Sequence, residues 1–150
     1  MVNHVTDYQR ILVAVDFSEQ TEKTLARACL IANNQSAYIE LVHVVEIPTY
    51  PVLEDVAIMG MPGVWDDEVA QSLFSASEQR LEKIAAQYQI TKFKTLTGIA
   101  SVDIAEYAKQ HQFDLIVVGA HGLSGINRLI GSTTNAIINH AESDVLAVRP

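Results

Sequence analysis

Short apolar runs recur along the chain, separated by helix-like stretches, and this alternation restricts the fold more than any other feature of the sequence. Arg10 to Val15 reads RILVAV, Ala37 to Val45 AYIELVHVV, Phe113 to Gly119 FDLIVVG and Asp144 to Pro150 DVLAVRP. Runs this short, apolar on successive residues and rich in β-branched side chains, suit strands covered on both faces, as in a parallel sheet. Phe93 to Thr97, FKTLT, is a shorter alternating strand that ends at Gly98.

The intervals have helical spacing. Thr21, Leu25, Ala28 and Ala32 fall on one face, with Asp16 or Ser18 available as a cap and Asn33-Asn34 as a stop. Asp66 to Gln89 carries a stripe of Val69, Leu73, Phe74, Leu81, Ile84, Ala85 and Tyr88, and its acidic start suits the helix dipole. Ser101 to His111 reads as a short helix with a Ser cap, and Ser132 to His140 as the last helix. The order is β-α-β-α-β-α-β-α-β. Right-handed crossovers then imply an α/β fold: a three-layer, doubly wound sheet of five parallel strands, order 3-2-1-4-5, with four helices. Nothing marks a boundary, so residues 1–150 read as a single domain.

Apolar residues make up 49% of the 150, enough for a sizeable core, and no apolar run approaches the roughly 20 residues that span a bilayer. The net charge of −8, with scattered Lys and Arg, argues against nucleic acid as a partner. A phosphate ligand would have to rely on backbone N–H groups. MVNHVTDYQR lacks the apolar core of a secretory signal, and the single cysteine, Cys29, fits a reducing compartment; both lead to the expectation of a cytoplasmic protein. Ile47 to Trp65 has no clean period and holds Pro48, Pro51 and Pro62; it reads as a long connection.

In an open α/β sheet, ligands sit beyond the carboxyl ends of the strands, where the strand order reverses. For order 3-2-1-4-5 the reversal lies between the first and fourth strands. Asp16-Phe17-Ser18 follows the first, and Gly119-Ala120-His121-Gly122 follows the fourth. Gly119 and Gly122 would allow positive φ and close approach of a ligand. Gly131-Ser132 opens the last helix, whose free N–H groups attract anions, and Ser132, Thr133 and Thr134 offer hydroxyls. Asp16 suits ribose hydroxyls or a helix cap. His121 and His43 read as hydrogen-bonding histidines. No Walker A loop, dinucleotide fingerprint or nucleophile–base motif is present.

RILVAVDFSEQTEKTL, LVHVVE, DLIVVGAHG and GSTTNAIINHAESDVLAVRP, in this order over nearly the whole chain, resemble the universal stress protein family. The resemblance implies a five-stranded parallel α/β fold and, for many members, ATP binding. The ATP-binding branch carries G-x-x-G, nine residues, then G-S/T. Gly119 to Gly122 matches the first part and Gly131-Ser132 the last, with eight residues, LSGINRLI, between them. The resemblance places Asp16 near the ribose and Val44 backbone groups on adenine. It puts Ala14 and Val15 beside adenine with Val118 below, and Gly119, Gly122, Gly131, Ser132 and Thr133 on the phosphates, with His121 in the same loop. A divalent ion, Mg or Mn, would be held by the phosphates. The resemblance also implies a homodimer through the C-terminal strand, an apolar edge that invites pairing. The expected function is that of a cytoplasmic ATP-binding stress-response module with at most slow hydrolysis. The alternative is a nucleotide-free dimeric signalling module. A receiver domain would need an acid after the third strand, where Leu96-Thr97-Gly98 stands. A flavodoxin would need a glycine-rich loop where DFSEQTEKT stands.

Overall fold

The computed structural model describes residues 6–46, 67–121 and 130–150. The elements are β1 (Arg10–Ala14), α1 (Thr21–Gln35), β2 (Tyr38–Val45), α2 (Asp67–Gln87), β3 (Phe93–Thr97), α3 (Ala100–Gln110), β4 (Leu115–Gly119), α4 (Ser132–His140) and β5 (Asp144–Val148). The strands form one sheet in the order β3-β2-β1-β4-β5. Every neighbouring pair is parallel. The fold expected from the alternation is therefore the one observed.

β1 lies at the centre, with Val13 opposite both Leu41 and Val117. Ile11, Leu12 and Val13 are all fully buried, which consecutive strand residues can be only where both sheet faces are covered. One face packs Ile11, Val13, Leu41 and Val117 against Leu25 and Ala28 of α1 and Leu81 and Ala85 of α2. The other packs Leu12, Val42 and Ile116 against Ile104 and Ala108 of α3 and Ile137 of α4. Each fully buried Leu, Ile or Val contributes roughly 1.5–3 kcal/mol of transfer free energy, so the two faces together hold the sheet and helices in register.

Several local expectations need correcting. α1 runs past Asn33-Asn34 to Gln35 and ends where Ser36 takes a left-handed conformation, its N–H bonded to Ala32 O. On α1 it is Thr24, rather than Thr21, that joins Leu25, Ala28 and Ala32 in the buried stripe. In α2 only the C-terminal half of the stripe is covered: Leu81 and Ala85 are buried, whereas Val69 and Leu73 are 45% and 41% exposed. Ser101 lies inside the first turn of α3, and the preceding amides bond to carboxylates instead. Ile99 N–H donates to Asp103 Oδ2 (2.6 Å) and Ala100 N–H to Glu46 Oε1 (2.9 Å). The connection read over Ile47 to Trp65 lies outside the described residues.

Candidate functional site at the carboxyl ends of β1 and β4

The reversal of strand order falls between β1 and β4, which are hydrogen-bonded neighbours. Their carboxyl ends bring Asp16 and the Gly119 to His121 segment to one edge of the sheet. On the α3/α4 face Leu12, Val42 and Ile116 are 0% exposed, and Ala14, Val44 and Val118, two residues further along the same strands, are buried but for 9%, 7% and 8% of their surface. These three small or β-branched side chains form an apolar floor. Val15 does not join it: strand alternation turns its side chain to the α1/α2 face. The Val15 backbone is also fully engaged, its N–H donating to Val42 O (2.8 Å) and its C=O accepting from His43 Nδ1 (2.6 Å).

Asp16 is exposed at the end of β1. It does not cap α1, whose N-cap is Gln20. Its Oδ1 instead accepts the Ser18 N–H at 3.0 Å. Ser18 continues the turn: its Oγ accepts the Gln20 N–H (3.3 Å) and its C=O the Thr21 N–H (3.1 Å). The carboxylate thus keeps acceptor capacity toward solvent.

At the end of β4 the Gly119 carbonyl accepts from Thr134 Oγ1 at 2.8 Å. Gly119 has no positive φ, contrary to the expectation from its glycine. The position is short of room: a Cβ there would meet Gln20 Oε1 at 3.2 Å and Thr24 Oγ1 at 3.4 Å. The Ala120 N–H donates to Val148 O, and the Gly131 N–H to Ala120 O, both at 2.8 Å. The start of α4 is thereby fastened beside the end of β4. Gly131 is the N-cap, with φ −58° and ψ 154° and no side-chain cap. Ser132 and Thr133 are exposed, while Thr134 is buried. Of the three hydroxyls read from the sequence, that of Thr134 serves the scaffold. His121 is 3% exposed, its N–H donates to Gln20 Oε1 (3.4 Å), and its buried Nε2 has no partner among the described residues. Gly122 lies outside the described residues.

Ala14, Asp16, Val44, Val118, Gly119, His121, Gly131, Ser132 and Thr133 therefore lie around one edge of the sheet, with Val15 turned away. Sequence reasoning missed Gln20, which bridges the two turns, and the contact of Arg80 with Phe17, the residue after Asp16. The only sign of Gln20 was its place just ahead of the helix. Phe17 and Arg80 meet through the tertiary fold, with the Arg80 Cζ 4.5 Å from the Phe17 ring centroid. Burial, the largest influence, holds the imidazole of His43 below its usual pKa; the bond to Val15 and the charge of Asp16 oppose this.

Residues 7–149 match the model of the universal stress protein family. The chain belongs to this family. It is 36% identical over 147 residues to universal stress protein A homolog 2 of Coxiella burnetii, covering 95% of this chain and 96% of that protein. Among solved structures it is similar to the universal stress protein UspA of Lactobacillus plantarum, with a TM-score of 0.77 and 27% identity, covering 96% of this chain and 99% of that one. It also has the fold of a universal stress protein solved in complex with cAMP, with a TM-score of 0.59 and 24% identity over 96% of this chain and 98% of that one.

Proposed function

We propose that this universal stress protein binds ATP as a regulatory ligand in the crevice beyond β1 and β4, acting in the cytoplasm as part of a stress response. The observation that carries the reading is the juxtaposition just described. The exposed carboxylate of Asp16 stands at the end of β1, and the start of α4, without a side-chain cap, is fastened beside the neighbouring β4. A carboxylate is a strong acceptor for ribose hydroxyls, and helix-terminal amides are donors for phosphate oxygens. The apolar floor of Ala14, Val44 and Val118 suits the face of a purine, with Val44 backbone groups at its edge; Val15, whose side chain faces the other side of the sheet and whose backbone is bonded to β2, takes no part. Gly119, Gly122, Gly131, Ser132 and Thr133 would serve the phosphates, with His121 behind them. An adenine nucleotide is also the ligand class of the cAMP complex noted above. Backbone donors matter here because the chain carries a net charge of −8. Any Mg or Mn would enter with the nucleotide, bound to its phosphates. No residue is assigned to catalysis.

Titration calorimetry with ATP tests this. Binding is expected with the wild type, and Asp16→Ala should weaken it roughly tenfold or more, the scale of a lost hydrogen bond to a charged group. No heat at millimolar ATP from folded protein would overturn the proposal. The eight-residue spacer between Gly122 and Gly131, one short of the ATP-binding pattern, favours a second reading, a nucleotide-free dimeric signalling module. Gly122→Val separates the two: regulation in cells is lost under the first and persists under the second.

A further inference from the structure

We infer that His43 of β2 and Arg80 of α2 are positioning residues that aim the Asp16 carboxylate by clamping the residues on either side of it. The inference rests on the proposed nucleotide reading for its functional consequence, but its structural content stands on the ligand-free fold.

Asp16 has little to hold it directly. Its side chain is exposed and its hydrogen bond is to the nearby Ser18 N–H. Its neighbours are held far more firmly. Val15 is tied to β2 through both backbone groups, to Val42 O and His43 Nδ1. A carbonyl oxygen only accepts, so Nδ1 must carry the proton, and in the neutral ring Nε2 is then an acceptor. Phe17 adopts φ +59°. A non-glycine residue in the left-handed region is disfavoured by Cβ sterics, and phenylalanine lacks the short polar side chain that lets Asn or Asp offset this locally. Such a conformation persists where its surroundings over-determine it. The Phe17 ring meets the His43 imidazole at 4.2 Å between centroids, tilted by 35°. The Arg80 guanidinium approaches the same ring at 4.5 Å, within cation–π range. One imidazole therefore acts on both neighbours of Asp16, by hydrogen bond on Val15 and by ring contact on Phe17, and Arg80 secures the ring from α2. With Val15 and Phe17 fixed, the direction in which the Asp16 Cβ leaves the backbone is fixed as well.

The test compares affinity for ATP with that for 2′,3′-dideoxy-ATP, which lacks the hydroxyls a carboxylate would accept from. It uses the wild type and the variants His43→Leu, Arg80→Gln and His43→Asn. Asn presents its Nδ2 where His presents Nδ1, so it can keep the bond to Val15. Wild type should prefer ATP roughly tenfold or more. His43→Leu and Arg80→Gln should bring the ratio toward one while leaving affinity for inorganic tripolyphosphate unchanged, and His43→Asn should restore part of the preference. Folded variants that keep the wild-type ratio would overturn the inference. If the wild type binds no nucleotide, the functional proposal fails, and the positioning claim is judged on the free protein. There the backbone ¹³C shifts of Phe17 should report a left-handed residue in wild type and move toward extended values in His43→Leu and Arg80→Gln. Unchanged shifts would sink it.

Discussion

A Cβ at position 98 would stand 2.0 Å from Asp103 Oδ2, on a backbone with φ +156°. That carboxylate cannot move away freely, because it accepts the Ile99 N–H at 2.6 Å and so secures the entry to α3. Gly98→Ala should therefore destabilise the fold by about 1–3 kcal/mol, the scale of an unfavourable backbone conformation together with a weakened helix entry. The urea midpoint should fall with the slope unchanged; an unaltered midpoint would show that Asp103 yields at no cost. The sequence marks Gly98 as the end of a strand. The reason for it is a side chain five positions on, folded back over it, and no local pattern announces that contact. Gly119 teaches the same lesson in reverse: its glycine suggested a left-handed turn, and the structure shows a shortage of space beside Gln20 and Thr24.

Between elements, β1, β2 and α3 share a polar cluster that periodicity alone would have made apolar. Glu40 lies opposite Leu12 in the sheet and is 8% exposed. Its carboxylate accepts from the hydroxyls of Tyr38, at 2.7 Å, and Tyr107. A buried carboxylate is tolerable only with such donors. Arg10 places its guanidinium over the rings of Tyr38 and Phe113, at 4.4 and 4.8 Å, and donates through Nε to His111 O. Burial, and then the bond to Glu40, pushes the Tyr38 hydroxyl from 10.0 up to about 12. The same two causes raise Tyr107. The unfolded chain therefore loses these protons at lower pH than the native state. The stabilising contribution of Tyr38 is complete below pH 10.0 and is lost as the pH rises toward about 12, and that of Tyr107 persists beyond it. Urea midpoints followed across that interval should fall, and Tyr38→Phe should flatten the decline. Equal slopes for the two proteins would remove Tyr38 from the account. At the same scale, α2 shows what periodicity leaves open. Its apolar stripe was legible from Val69 to Tyr88, yet only the half carrying Leu81 and Ala85 is buried on the sheet. Spacing defines a face; the path of the helix relative to the sheet decides how much of that face is covered.

For the whole molecule, the order β3-β2-β1-β4-β5 leaves β5 on an edge, hydrogen-bonded to β4 along one side. An apolar edge strand with an open side is a template for pairing, and a two-fold partner closes it. We propose a homodimer through β5. Native mass spectrometry of freshly purified protein should show twice the 16.5 kDa chain mass, and a monomer at micromolar concentration would refute this. The sheet itself was readable in advance because burial of a strand on both faces demands consecutive apolar residues, and crossover handedness leaves few ways to connect five of them. Asp16 and the β4 turn were readable for the same reason: strand order alone brings their positions together. The contacts around these strand ends were not. Gln20 reaches the His121 amide, Thr134 the Gly119 carbonyl, and His43 and Arg80 close on Phe17. Each joins residues from separate elements, and side-chain packing of that kind leaves no period in the sequence, since it arises only once the sheet has set the distances.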